Sequence, residues 1–461
     1  MCGIAAISGT PEAARMVFLS LYALQHRGQE AAGIVAIEEG GKQAHIHKGA
    51  GLVSDALDEE AVSALTGTTA LGHIRYSTVG GAELVNAQPL LVRYAEGGLS
   101  VVHNGNLTNG RELRANLVSD GALFQSGIDT EVIVHLIARS RREDIDGQVA
   151  DALSQLEGSF SVLITVGPTL YAARDRHGFR PLVMGVKDGA YVFASETCAL
   201  DIIGARYVRD LEPGEVLRVR NGELTRLPSV GTFSQAAPCI FELVYFARPD
   251  SRLWGHSVDR SRRACGRQLA IEQPAEADCV ISVPDSANSA ALGFAEQSGI
   301  PFELGLIRNH YVGRTFIEPS QSGRDFKVRL KYSPVREVLA GKRVVVVDDS
   351  LVRGTTSRGL VNLLREAGAT EVHFRLASPP VKHPCYFGID MPTREELVAS
   401  RSTTEEIREQ LGVDSLGYLS MEGMTRAVDP DGTFCSACFS GNYPAPLVDL
   451  EMGHMAAGCG A

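Results

Sequence analysis

The sequence predicts two domains of different architecture: a layered α+β domain over the first half and an α/β domain with a mainly parallel sheet over the second. Three observations carry this. The chain has 461 residues, more than one hydrophobic core comfortably serves. Up to about Leu227, short β-like runs punctuated by glycine are mixed with amphipathic stretches. From Cys239 onward, strand and helix patterns alternate.

In the first half, GIVAI, TALGHIRYST, LSVVHNGNL, FSVLITV and AYVFAS read as strands, because apolar residues alternate or run on over strand lengths. AARMVFLSLYALQ and DTEVIVHLIARS space their apolar residues as helices do. Strands grouped together with helices outside them predict a layered domain over residues 2–235. The small and polar stretch PSVGTFSQAAPC then marks the connection. In residues 236–445, DCVISVPDS, ANSAALGFAEQSG, RVVVVDDS, TSRGLVNLLREAGA and EVHFRLASPP follow in order. Near-continuous Val/Ile strands followed by helices are what a parallel sheet covered on both faces requires. Residues 446–461, ending GHMAAGCGA, are weakly patterned and expected to be mobile.

The charge balance, 44 Lys+Arg against 55 Asp+Glu for a net −11, comes without a long basic run, so no nucleic-acid partner is expected. No apolar stretch reaches the length of a membrane span, and the start lacks a signal-peptide layout. A cytoplasmic protein without a membrane partner is expected. There, nine cysteines, an odd number, suggest metal ligation or nucleophilic chemistry more than a disulfide framework.

The most informative stretch is RVVVVDDSLVRGTTSRGL, Arg343 to Leu360. A buried strand delivers Asp348 and Asp349 to its C-terminal edge, where open α/β sheets bind ligands. Gly354 lets the backbone curl into a helix. The N–H groups and hydroxyls of Thr355, Thr356 and Ser357, with Arg353 beside them, surround a phosphate at its N-terminus. The two carboxylates suit the vicinal hydroxyls of a ribose, directly or beside Mg²⁺. The bland alternative is a capped helix after two solvated acids. The stretch resembles the phosphoribosyl pyrophosphate (PRPP) signature of type I phosphoribosyltransferases. That resemblance implies that SVPDS, Ser282 to Ser286, faces pyrophosphate with Ser286 near the metal. Between these loops, Arg314, Arg324, Lys327, Arg329 and Lys331 lie on a polar segment read as a cationic lid over residues 311–331.

A phosphoribosyl site needs a nucleophile, and the first half supplies a candidate source. CGIAAI, LQHRGQEAAGI, GHIRYSTVG, HNGNL and DTEV occur in this order and resemble the glutamine amidotransferase domain with an N-terminal cysteine nucleophile, an αββα sandwich. The chemistry explains the residue types. A thiolate attacks the glutamine amide and releases ammonia, leaving a thioester for water to hydrolyse. If Met1 is removed, Cys2 gains an α-amine whose ordinary pKa of about 7.7 to 8.0 lets it shuttle protons. The resemblance implies an oxyanion hole from Asn104 and Gly105, Arg75 on the glutamine carboxylate and Asp129 on its ammonium. It also implies that Arg27 and Gly28 shape the nucleophile's pocket. The ordinary alternatives are a hairpin turn at Asn104-Gly105 and a helix cap at Asp129. His26, His73 and His103 are read as structural.

Together the two halves resemble the glutamine phosphoribosylpyrophosphate amidotransferase family over nearly the whole chain. The implied reaction makes 5-phosphoribosylamine, glutamate and pyrophosphate from glutamine, PRPP and water, committing PRPP to purine synthesis. A homotetramer inhibited by purine nucleotides is also implied. Four cysteines remain: Cys239, Cys385, and the pair Cys435 and Cys438 in a C-x-x-C. By itself that pair is open to zinc, redox chemistry or an iron–sulfur cluster. APCIFELVYF, KHPCYFGIDMP and CSACFSGNYP resemble the branch of this family in which four cysteines hold a 4Fe–4S centre. Cys198, Cys265, Cys279 and Cys459 match no ligand pattern. Two other readings are a hexosamine-phosphate synthase, against which the PRPP signature argues, and a regulatory nucleotide or RNA binder, which the acidic balance disfavours.

Overall fold

The computed structural model describes residues 1–461 apart from 77–82, 95–96, 231–234, 311–327, 392 and 450–461. Two antiparallel sheets build the first half. One has seven strands, with Gly3–Ser8 central between Ala190–Ala194 and Thr69–Arg75. The other has six, with Gly97–Leu107 between Leu90–Tyr94 and Gly158–Val166. Side chains on a strand alternate between faces, and here both faces are apolar. Ile4 and Ala6 join Val102, Leu163 and Ala172 in the core between the sheets. Ala5 and Ile7 face outward onto the helix Ala13–Ala23. On the far side, Val101, Phe160 and Val162 pack against Thr130–Arg139 and Ile145–Ser154. The order of layers is therefore helix, sheet, sheet, helix, as an αββα sandwich requires.

In the second half, Cys279–Ser282, Arg343–Asp348, Glu371–Leu376 and Ser415–Tyr418 pair in parallel in that order. The run Val344 to Val347 is buried on both faces. Val344 and Val346 pack with Leu360 and Leu364 of the helix Thr355–Glu366, and Val345 and Val347 with Leu269 and Phe294 of Val258–Glu272 and Asn288–Ser298. This is the doubly covered parallel sheet expected of a phosphoribosyltransferase core.

The segment expected to be mobile from residue 446 is instead tied down at its start. Asp449 donates its N–H to the Thr108 carbonyl at 2.8 Å, and its carboxylate accepts from the Arg111 and Glu112 N–H groups at the start of the helix Gly110–Ser119. Those N–H groups have no partner within the helix, which is why an acidic side chain stops there. The remainder, with Cys459, lies outside the described residues.

Candidate active site

Cys2 sits half-buried just ahead of the strand Gly3–Ser8. Its thiol donates to the Tyr76 carbonyl at 3.7 Å, and its N–H donates to Asn104 Oδ1 at 3.3 Å. Burial pushes the thiol pKa up, against the pull of the chain terminus and Arg75. A thiol so placed is protonated near neutrality and requires a base beside it. Behind it lies Arg27, fully buried. Arg27 Nε donates to the Cys2 carbonyl at 3.1 Å, while its Nη atoms pair with Glu196 and with Glu242. The Arg27 guanidinium thus fixes the backbone of Cys2 from within, and Gly28 is the member of that pair that lines the open cavity.

Asn104 and Gly105 do not form a hairpin turn. They lie inside Gly97–Leu107, in register with Ser161 and Phe160. Asn104 is fully buried, and its Nδ2 has no partner among the described residues. A buried donor with nothing to donate to costs about 1–3 kcal/mol, and this one belongs to a side chain already bonded to Cys2. Gly105 is held at φ +156, and a Cβ there would come 2.0 Å from the Ser159 carbonyl oxygen. Asp129 stands at the N-cap position of the helix Thr130–Arg139, but its side chain makes no capping hydrogen bond there. Its carboxylate accepts from the Leu107 N–H at 3.0 Å and lies 3.4 Å from His103 Nδ1. Burial alone would raise the Asp129 pKa, but His103 and the Leu107 N–H bring it below the usual carboxylate range. Burial also works to lower His103, yet Asp129 raises it overall. Arg75 is buried, donates to the Glu83 carbonyl at 3.3 Å, and is lowered by desolvation. His73 is buried and held neutral, with its pKa brought down to about 3 by desolvation.

Across from this constellation, Asp348 ends its strand and Asp349 follows. The Asp349 N–H donates to Asp348 Oδ1 at 2.9 Å, and Asp349 accepts from the Ser286 and Ser350 hydroxyls. Burial and, for Asp348, the neighbouring Asp349 push both carboxyls up. Asp349 is buried and Asp348 half-buried, and two carboxyls held this close form a donor set that suits positive charge. Gly354, at φ +76, starts the helix Thr355–Glu366, whose first turn has no side-chain cap. Thr355 and Thr356 are exposed there and Ser357 is buried. Arg353 turns to the rim, where its Nε pairs with Glu396 Oε1 at 3.2 Å. Of the cationic lid, Arg314, Arg324 and Lys327 lie outside the described residues. Arg329 pairs with Glu366, and Lys331 lines the cavity.

One cavity of about 780 Å³ lies between the two domains: Gly28, Gln29 and Tyr76 line it from the first, and Val283 to Ser286 and Asp348 to Ser357 from the second, while Cys2, Arg75, Asn104, Gly105 and Asp129 stand outside its lining. Sequence reasoning missed Arg308, Arg262 and Asp390, which also line it. Arg308 and Asp390 sit singly and Arg262 is one of several arginines in DRSRRACGR, and only the folding of three distant segments brings them together. A second, small cavity is lined by Cys239, Cys385, Cys435 and Cys438, with Phe179, Arg180 and Phe387. Cys198, Cys265 and Cys279 are instead buried among core side chains.

Residues 73–201 match the family model of a glutamine amidotransferase domain. The chain is 52% identical over 452 residues to the chloroplastic amidophosphoribosyltransferase of Vigna aconitifolia, covering 98% of this chain and 92% of that one. It is 48% identical to the amidophosphoribosyltransferase of Bacillus subtilis, covering 97% and 94%. Among solved structures, one described as the allosteric regulatory enzyme of purine biosynthesis superposes with a TM-score of 0.92 at 47% identity, covering 97% of both chains. Another, glutamine PRPP amidotransferase from B. subtilis complexed with ADP and GMP, gives 0.91 at 47%, covering 97% of this chain and 98% of that one. With both half-sites in place and similarity running the length of the molecule, the chain belongs to the amidophosphoribosyltransferase family, the enzymes of the first step of purine synthesis.

Proposed function

We propose that this enzyme frees ammonia from glutamine at Cys2 and passes it through the shared cavity to C1 of PRPP. The products are 5-phosphoribosylamine, glutamate and pyrophosphate. The observation that carries this reading is the single cavity bounded by Gly28 and Tyr76 on one side and by the Asp348 to Ser357 turn on the other. Ammonia released into water becomes mostly ammonium, which has no lone pair for C1, so a shared and sheltered space serves the chemistry.

With Met1 removed, the Cys2 α-amine takes the thiol proton. The Sγ attacks the amide carbon, and the oxyanion is stabilised by Asn104 Nδ2 and the Gly105 N–H. The unpartnered Asn104 Nδ2 supports that role. On collapse the C–N bond breaks, the departing amide nitrogen takes the proton from the Cys2 α-amine and leaves as ammonia, and water then cleaves the thioester. Arg75 and Asp129 hold the glutamine carboxylate and ammonium, and Arg27 keeps the Cys2 carbonyl in place. At the other side, the Thr355, Thr356 and Ser357 amides receive the 5-phosphate, while Asp348 and Asp349 accept from the ribose hydroxyls. The raised carboxyls of Asp348 and Asp349 beside Ser286 fit Mg²⁺, held by one or two acids together with substrate oxygens. Such an ion would neutralise charge on the leaving pyrophosphate.

The four cysteines around one small cavity fit a 4Fe–4S cluster. Phe387 N–H donates to Cys385 Sγ at 3.4 Å, and Arg180 Nη2 is buried without a partner beside these thiols. Both features suit an anionic group. Among the described residues no three His, Cys, Asp or Glu side chains are grouped as they would be to hold one metal ion, so the reading rests on the four thiols that line one small cavity. The cluster would tie the C-terminal segment to the domain joint.

Purine-nucleotide inhibition belongs to the same reading and is supported by the relative complexed with ADP and GMP. A homotetramer is implied by the family resemblance, and sedimentation analysis tests it. No helix among the described residues is long and apolar enough to cross a membrane, and cysteines arranged as ligands suit a cytoplasmic setting.

The reading is tested by mixing anaerobic protein with glutamine, PRPP and Mg²⁺ and following glutamate and pyrophosphate together. Equimolar appearance is expected. Glutamate without pyrophosphate would refute the coupled reaction.

A further inference from the structure

Resting on the oxyanion reading of Asn104 and Gly105, we infer that the segment from Cys385 to Met391 is a positioning strap for the oxyanion strand, acting through Gly388 and Tyr386. The strap begins at a thiol of the small cysteine cavity and ends with Ile389, Asp390 and Met391 in the wall of the large one. Between these ends it crosses directly over the oxyanion residues of the other domain.

Two contacts make the crossing. Gly388 lies so close to Gly105 that a Cβ on it would stand 2.9 Å from the Gly105 carbonyl carbon, 3.0 Å from its Cα and 3.1 Å from its oxygen. No side chain fits between the two backbones, and Gly388 holds φ +96, a conformation that favours glycine. One residue on, Asn106 Nδ2 donates to the Tyr386 carbonyl at 3.0 Å. The strap is itself fixed from beneath, because buried Arg180 donates from Nε to the Phe387 carbonyl at 2.9 Å and Phe387 stacks on Phe179 with ring centroids 4.2 Å apart. It is therefore a stiff element and not a passive loop.

The physical consequence follows from how an oxyanion hole works. Its donors lower the barrier only when they stand at hydrogen-bond distance from the developing charge, and a displacement of about 1 Å costs up to a hundredfold. Ser159 also crowds Gly105, since its carbonyl would meet a Cβ there at 2.0 Å. Gly105 is thus closely approached both by Ser159 of its own sheet and by Gly388 of the strap. The same strap forms part of the PRPP-side wall, so the acceptor cavity and the glutamine chemistry share one rigid piece of backbone. Neither Gly388 nor Asn106 lines the large cavity; they are positioning residues.

The experiment compares Gly388→Ala and Asn106→Ala with the parent and with Asn104→Ala. Three readouts are taken: phosphoribosylamine from glutamine, phosphoribosylamine from supplied ammonium, and alkylation of Cys2 by iodoacetamide, which forms no oxyanion. Both strap variants are expected to lose about tenfold or more in kcat with glutamine, with KM for glutamine and the ammonium-dependent rate within about twofold. Cys2 alkylation should keep the parental rate, marking an intact nucleophile. If Asn104→Ala is impaired while both strap variants are not, the strap inference is overturned and the oxyanion reading stands. If Asn104→Ala itself keeps the parental kcat, the oxyanion reading fails first. If the strap variants lose the ammonium reaction or Cys2 alkylation equally, the contacts serve general folding and the positioning role is refuted.

Discussion

The two half-sites solve opposite problems with opposite materials. Around Cys2, polar side chains are buried and the charged ones are held by dedicated partners: Arg27 is fixed by two glutamates and Asp129 faces His103. Around Asp348 the ligand-facing groups stand at an open strand tip, with Thr355, Thr356 and Arg353 exposed. Glutamine's amide is neutral and develops charge only in the transition state, so its site has to be arranged beforehand in a low-dielectric setting. PRPP brings its own charge, and in the proposed reading backbone N–H groups and an acid pair suited to a cation meet it. One site is a fixed mould and the other a dock.

Four perturbations break or sharpen that contrast. Cys2→Ser is expected to lower glutamine-dependent phosphoribosylamine formation by at least about a thousandfold, leaving the ammonium-dependent rate within about twofold. A paired assay with the two nitrogen sources checks this. Asp348→Asn combined with Asp349→Asn should cost about a hundredfold with either nitrogen source and spare basal glutamine hydrolysis. A matching fall in glutaminase would dissolve the division between mould and dock. Glu242→Gln removes the charge shared by buried Arg27 and Arg180, and breaking such pairs costs about 3–5 kcal/mol. A clear drop in melting temperature is expected, whereas neutralising the exposed Arg353–Glu396 pair should shift it little.

The smallest effect is in pH dependence. His103 is raised by Asp129, so its contribution is complete below its unfolded value of about 6.5 and is lost as pH climbs through the higher folded value. Asp129 is depressed, so its contribution is present above about 3.8 and disappears in acid. The melting-temperature gap between parent and Asp129→Asn should therefore be wider near about pH 6 than near about pH 9. An invariant gap would mean that the pair carries no charge.

The contrast also governs what could be read in advance. The dock was legible in one contiguous run, because strand, acids, turn and helix start are local and their spacing is set by backbone geometry. The mould is scattered from Cys2 to Asp129, and only the order of several short segments revealed it. Individual roles inside it were less visible. The pairing of Asp129 with His103 depends on Gly97–Leu107 lying beside the start of Thr130–Arg139, which no local pattern encodes. Arg27 carries the right charge for a ligand, yet its direction is set by Glu196 and Glu242, the latter more than two hundred residues away. Asp449 capping a helix from the far end of the chain was invisible for the same reason.

Internal transfer of ammonia is tested most directly by isotope competition. Enzyme turning over glutamine carrying heavy nitrogen in its amide, in the presence of equimolar unlabelled ammonium, should give phosphoribosylamine that holds the heavy nitrogen almost throughout. Label diluted to the ratio of the bulk solution would show that ammonia leaves the protein between Cys2 and PRPP, and would contradict a shared cavity acting as the passage.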